Sequence, residues 1–225
     1  MKAMILAAGL GERMRPLTEH TPKPMLKAGG KPLIEHHLEK LAMAGFKDVV
    51  INVSWLALQI TEFAGDGAQW GLRITYSHEE TPLETAGGIR QALPKLTEGR
   101  APFAVINADI WTDLNFERLH TLPGAALAHL FLVDNPPHHP NGDFILDEPS
   151  GLVGLPSEES STLTFSGVSV LSPDLFSAAN SHENKLGILL RTAITERQVS
   201  GEHIKGRWYD IGTPARLTEL NRLLG

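Results

Sequence analysis

Apolar residues along this chain come in short blocks, and the spacing inside the blocks alternates between two kinds. Residues 4–8 form an unbroken apolar run, the pattern of a buried strand, whereas 33–44 repeats apolar positions every three or four residues, a helix that Gly45 closes. The alternation continues: 49–53 reads as a strand, 55–63 as a helix, 72–76 as a strand, 84–93 as a helix starting after Pro82, and 103–108 as an apolar strand ending on Asp109. That order predicts a mostly parallel sheet covered by helices on both faces. From Ala125 onward the rhythm changes. Strands near 127–133, 144–146, 152–155 and 163–171 follow one another without long helices, which predicts a small mixed β extension. Helices resume at about 184–197 and from 214 to 224, and the Pro-rich run 136–142 is a loop.

Composition narrows the class. With 225 residues, 42% of them hydrophobic, the chain can bury a full core as one domain. Its net charge of −6 and dispersed Lys and Arg residues argue against wrapping nucleic acid or lying on an anionic membrane. The absence of cysteine excludes disulfides, thiolate catalysis and sulfur-ligated zinc. Histidines stand as adjacent pairs, His36-His37 and His138-His139, rather than at the spacing of helix-borne metal ligands, so no zinc site is expected. A short apolar start that runs into a Gly-rich turn lacks a signal-peptide cleavage region, and no stretch reaches membrane-spanning length; a cytoplasmic protein is expected.

The most chemical stretch follows the first strand: Gly9-Leu10-Gly11-Glu12-Arg13-Met14-Arg15-Pro16, and then Thr21-Pro22-Lys23-Pro24. Two glycines let backbone N–H groups approach an anion, and Arg13 and Lys23 add charge on a segment stiffened by proline. The ligand this suits is polyanionic. A dinucleotide fingerprint would need glycine where Met14 stands and an acid closing the second strand, where Asn52-Val53-Ser54 lies. A P-loop would need Gly-Lys-Ser/Thr, which does not occur there.

Five ordered segments carry a resemblance. The stretch 6–33 resembles the opening motif of the sugar-phosphate nucleotidyltransferases. Pro82-Leu83-Glu84-Thr85-Ala86-Gly87-Gly88 is similar to their base-binding loop, and Asn107-Ala108-Asp109 to their metal aspartate. Phe165-Ser166-Gly167 is similar to their sugar-binding strand, and Trp208-Tyr209-Asp210-Ile211-Gly212-Thr213-Pro214 to their closing block. The resemblance implies one α/β domain over 1–225, with a Rossmann-like central mixed, mostly parallel sheet. About 1–124 would bind the nucleotide, and about 125–225 the sugar. It implies nucleotide contacts at Leu6, Ala7, Ala8, Gly9, Gly11, Arg13, Lys23, Glu79, Thr85, Ala86, Gly87 and Asn107, and sugar contacts at Asn107, Gly142 and Gly167. Arg13, Lys23 and Asp109 would be catalytic, with Mg²⁺ on Asp109 and Asp210.

In that family's reaction a sugar 1-phosphate attacks the α-phosphorus of a nucleoside triphosphate and pyrophosphate leaves. A phosphate monoester with a second pKa of about 6 is already ionised, so no general base is needed. What remains is positioning and charge neutralisation. Arg13 would steady the β- and γ-phosphates, and Lys23 would meet the α-phosphate. Structural roles stand beside these: Asp109 could cap a turn, and Asp210 could hydrogen-bond the start of the last helix. Asp113 and Glu12 read as solvated acids.

Glu79 and Glu84 fall where thymidylyl- and uridylyltransferases often place Gln and Gly. A carboxylate accepts from uracil and guanine alike, so the base is not settled by these residues. Asp147-Glu148-Pro149 only partly echoes the Glu-Lys-Pro of many relatives. With that departure, the 163–168 block and no appended β-helix domain, the resemblance is greatest to the N-acetylmuramate-1-phosphate uridylyltransferases of cell-wall recycling. UTP and N-acetylmuramate 1-phosphate are therefore the expected substrates, and a monomer the expected state. Mannose-1-phosphate guanylyl transfer, glucose-1-phosphate thymidylyl transfer and a nucleotide-sensing module are the alternatives. The lactyl carboxylate of such a substrate needs a cation, for which Lys205, Arg207 and Arg191 are unranked candidates.

Overall fold

The computed structural model describes residues 1–157, 160–177 and 182–225. The first strand, β1 (Ala3–Leu6), carries no polar side chain, and it lies inside a nine-stranded sheet with parallel neighbours on both sides. A hairpin, β2 (Lys27–Ala28) and β3 (Lys31–Pro32), leads into α1 (Leu33–Met43). Then follow β4 (Asp48–Val53), α2 (Ala57–Ala64), β5 (Arg73–His78), α3 (Glu84–Leu96) and β6 (Phe103–Asn107). Side chains alternate across the sheet as a period of two requires. Ala3, Ile5, Val49, Ile51, Ala104 and Ile106 pack on the face covered by α1 and α2, while Met4, Val50, Phe103 and Val105 pack on the other with α3.

The second half continues the same sheet. After β7 (Ile110–Thr112) come β8 (Ala128–Val133), β9 (Ile145–Asp147), β10 (Leu152–Gly154), β11 (Thr164–Leu171), α4 (Leu186–Thr195), β12 (Val199–His203), β13 (Trp208–Asp210) and α5 (Pro214–Leu224). The sheet order is β5-β4-β1-β6-β11-β8-β12-β10-β9. Only β11 and β10 run against the rest. The mixed extension is thus joined through β11, which pairs with β6 on one side and β8 on the other.

Three features depart from the sequence expectation. β12, with a Gly and three polar residues among its five, was not expected, yet it inserts between β8 and β10. A separate two-stranded ribbon pairs β7 with β13, about a hundred residues apart in the chain. Helix α3 runs through Pro94 to Leu96 rather than ending at 93; a proline in the last turn removes only one ladder bond. Among the described residues no helix is long and apolar enough to cross a membrane.

His37 is a core residue. It faces inward from α1 beside Leu33, Ile34, Leu38 and Leu41, its ring stacked 6.3 Å from Phe116, and neither ring nitrogen makes an aligned hydrogen bond. Burial, helped by the charge of His36, pushes its pKa down from 6.5 to about 4. Between those values the unfolded chain binds a proton that the folded chain does not. Stability from this group is complete above pH 6.5 and is lost as pH falls toward 4, by about 3 kcal/mol. Urea unfolding of His37→Phe and wild type at pH 7 and pH 4.5 should show a smaller acid loss in the variant; parallel losses would mean that the ring does not titrate in this range.

Candidate active site

The parallel strands β1, β4 and β6 end at the same edge of the sheet, where open α/β folds gather ligands. A cavity of about 670 Å³ opens there, walled by backbone from Leu6 to Met14 and by Lys23, Glu79, Thr85, Asn107 and Asp109, among others. Every nucleotide contact expected from sequence lies on this wall except Ala86 and Gly87. Those two are buried in the first turn of α3, where the Ala86 N–H donates to the Asn184 carbonyl (2.8 Å).

The loop after β1 is held from behind. Gly11 adopts φ +67, and a Cβ on it would lie 2.9 Å from Thr18 Cγ2, so both conformation and space require glycine. Its carbonyl accepts from the Met14 N–H (2.9 Å) and the Thr18 hydroxyl (2.7 Å). Arg13, exposed in the cavity, makes no ion pair or hydrogen bond among the described residues and so keeps its guanidinium free. Lys23 sits in a turn between Pro22 and Pro24 and donates to Asp109 Oδ2 at 2.5 Å. Its side chain is only 12% exposed, so this cation is aimed across the cavity rather than into solvent.

Asn52 was missed as a site residue. Buried at the end of β4, its Oδ1 accepts from the Ala7 N–H (2.8 Å) and its Nδ2 donates to Glu79 Oε1 (2.7 Å). Glu79 Oε2 in turn accepts from the Leu83 N–H (3.0 Å). One amide thereby ties the opening loop to the loop before α3. The only sequence sign was a polar residue closing an apolar strand. Glu84, beside it on the wall, holds φ +59, a left-handed conformation that suits the glycine many relatives are expected to carry there.

The β7–β13 ribbon brings the two aspartates to adjoining backbone: Asp210 pairs in register with Ile110, and the Ile211 N–H donates to the Asp109 carbonyl (2.7 Å). Asp210 itself does not line the large cavity. Nor does it cap α5, since Thr213 accepts from the Arg216 N–H. Its Oδ2 instead accepts from the Arg216 guanidinium, which also donates to His138 Nε2 (2.6 Å). His138 Nε2 also lies 2.8 Å from Asp210 Oδ1, a buried oxygen that makes no aligned hydrogen bond among the described residues. Two hard carboxylates, one with an orphaned oxygen, suit Mg²⁺, which commonly takes one or two carboxylates and fills the rest of its shell with phosphate and water. No group of three or more His, Asp or Glu side chains that could hold a metal ion occurs among the described residues.

Gly167 and Gly142, expected to meet the sugar, do not line this cavity. At Gly167, φ +79 lets β11 bulge between Phe165 and Ser169, and a Cβ there would stand 2.8 Å from Asn107 Nδ2. Gly142 (φ +54) closes a turn against Asn135 and the Leu163 carbonyl. Asp113 pairs with Arg207 (3.4 Å), and Glu12 is exposed at the cavity rim.

A family model described as nucleotidyl transferase matches residues 2–225. The chain belongs to the nucleotidyl transferase family. This nucleotidyl transferase is 48% identical over 231 residues to an N-acetylmuramate alpha-1-phosphate uridylyltransferase of Neisseria meningitidis serogroup B, a match that covers 100% of the chain and 99% of the relative. It is 30% identical to a mannose-1-phosphate guanyltransferase of Schizosaccharomyces pombe over 95% of the chain, which spans 61% of that relative's length. A structure from Bacillus anthracis, assigned as a glucose-1-phosphate thymidylyltransferase and bound to a sucrose, shares the fold with a TM-score of 0.86 at 21% identity, over 100% of this chain and 95% of that one. The fold and family expected from the motifs are those found.

Proposed function

We propose that this nucleotidyl transferase joins UTP to N-acetylmuramate 1-phosphate, forming UDP-N-acetylmuramate and pyrophosphate. The observation that carries this reading is the full-length 48% identity to an uridylyltransferase of that specificity. The cavities agree with it: the large one, which holds the glycine loop, Arg13 and Lys23, adjoins a second of about 270 Å³ with which it shares Thr85 and Asn107. A triphosphate in the first and a sugar in the second would meet at Asn107.

Arg13, free of internal partners, would hold the β- and γ-phosphates and the departing pyrophosphate. Lys23 would turn from Asp109 to the α-phosphate as negative charge builds on it. Asp109 and Asp210 would hold Mg²⁺, which when bound neutralises phosphate charge and polarises the α-phosphorus. Asn52 keeps the loop after β1 in place, so its backbone N–H groups are oriented before substrate arrives. The nucleotide half, about 1–124, and the sugar half, about 125–225, would then work as one domain. The reading includes a monomer, and the nucleoside triphosphate substrate fits a cytoplasmic enzyme.

The test is pyrophosphate release with Mg²⁺ across four nucleoside triphosphates and a panel of sugar 1-phosphates. UTP with N-acetylmuramate 1-phosphate should be the best pair. GTP with mannose 1-phosphate as the best pair would replace this reading, and tight binding without release would point to a nucleotide sensor.

A further inference from the structure

We propose that Arg191 recognises the lactyl carboxylate of the sugar substrate and so sets the preference for N-acetylmuramate over N-acetylglucosamine. This rests on the function proposed above. The smaller cavity lies between β11 and the first turns of α4, opening off the larger one at Thr85 and Asn107. Phe144, Phe165 and Leu186 give it apolar walls, and its two charged side chains are Asp143 and Arg191.

Those two charges are in different states. Asp143 is committed to the protein: Oδ2 accepts from the Phe165 N–H (2.8 Å) and Oδ1 lies 3.1 Å from His139 Nε2. The Arg191 guanidinium makes no ion pair or hydrogen bond among the described residues, and its central carbon rests 5.5 Å from the Phe144 ring centre. A guanidinium over an aromatic face is oriented without its donors being used. All five N–H donors remain for a planar anion, and a carboxylate matches them two at a time.

The helix supports this placement. Residues 187 and 191 fall four apart, on one face of α4, so Gly187 stands one turn before Arg191 on the cavity wall. A Cβ at Gly187 would meet no atom of the described residues within 4 Å, which leaves the space beside the guanidinium open to a substituent on the sugar ring. The other cations considered from sequence are placed elsewhere. Arg207 lies over Trp111 (5.3 Å) and pairs with Asp113, and Lys205 is exposed and lines neither cavity. The structure therefore ranks what the sequence left open.

The test compares wild type, Arg191→Gln and Arg191→Lys in the full chain. Steady-state kinetics with UTP give kcat/KM for N-acetylmuramate 1-phosphate, and inhibition of that reaction by N-acetylglucosamine 1-phosphate, which lacks the lactyl group, gives its inhibition constant. Arg191→Gln should lose about 10- to 100-fold in kcat/KM, mostly through KM, as expected for one charged hydrogen-bonded contact. Its inhibition constant should stay within about twofold of wild type, and Arg191→Lys should recover part of the loss. Equal losses for both sugars, or no loss for either, would overturn the assignment while leaving the uridylyl-transfer reading intact. A wild-type enzyme inactive on N-acetylmuramate 1-phosphate would overturn both.

Discussion

Asp109→Asn is expected to lower kcat by about 10²–10³-fold, the scale of losing one preorganised electrostatic contact to a transition state. The substitution keeps the size and shape of the side chain and removes only its charge. In the free protein that charge accepts the Lys23 ammonium at 2.5 Å. On the proposed reading, in the reacting complex it helps hold the cation that screens two polyanions from each other. The fold should survive, because Asp109 is 38% exposed at its side chain and its carbonyl bond from Ile211 is a backbone contact that the variant retains. Activity titrated against Mg²⁺ distinguishes the roles. A variant that needs more Mg²⁺ to reach a reduced rate has lost a metal ligand; one with wild-type activity at limiting Mg²⁺ refutes that assignment.

Lys23→Ala is the second large effect, also about 10²–10³-fold and concentrated in kcat. A contact that tightens as charge gathers on the α-phosphate lowers the barrier without strengthening ground-state binding to the same degree. The KM for the nucleotide should therefore change much less than kcat. A raised KM at unchanged kcat would make Lys23 a ground-state ligand instead. Because Lys23 and Asp109 touch, the double variant should lose less than the product of the single losses.

How much of this was legible in the sequence depended on the distance over which a signal acts. Elements β1, α1, β4 and β6 were readable because their apolar spacing is local and their neighbours are apolar on both faces. The ribbon of β7 and β13 was not, since Ile110–Thr112 and Trp208–Asp210 are three residues each and become strands only by meeting across the chain. The cavity wall from Leu6 to Gly11, with Arg13, Lys23 and Asp109, was legible through the motif order. Asn52 was not, because its importance lies in bonds to Ala7 and Glu79, 45 and 27 residues away. Ala86 and Gly87 belong to a motif yet face inward, since a motif records which residues recur and not which way each points. Asp210 was legible as a special carboxylate, but its Arg216 and His138 partners come from a helix and a proline-rich loop that no local pattern links to it.

Asn107 and Thr85 form the wall common to both cavities, and the bulge of β11 at Gly167 leaves no room for even a Cβ behind Asn107. On the proposed reading a partition this thin would act as a spacer gauge for the two substrates, with the separation between attacking oxygen and phosphorus set by the one continuous sheet that carries both cavities.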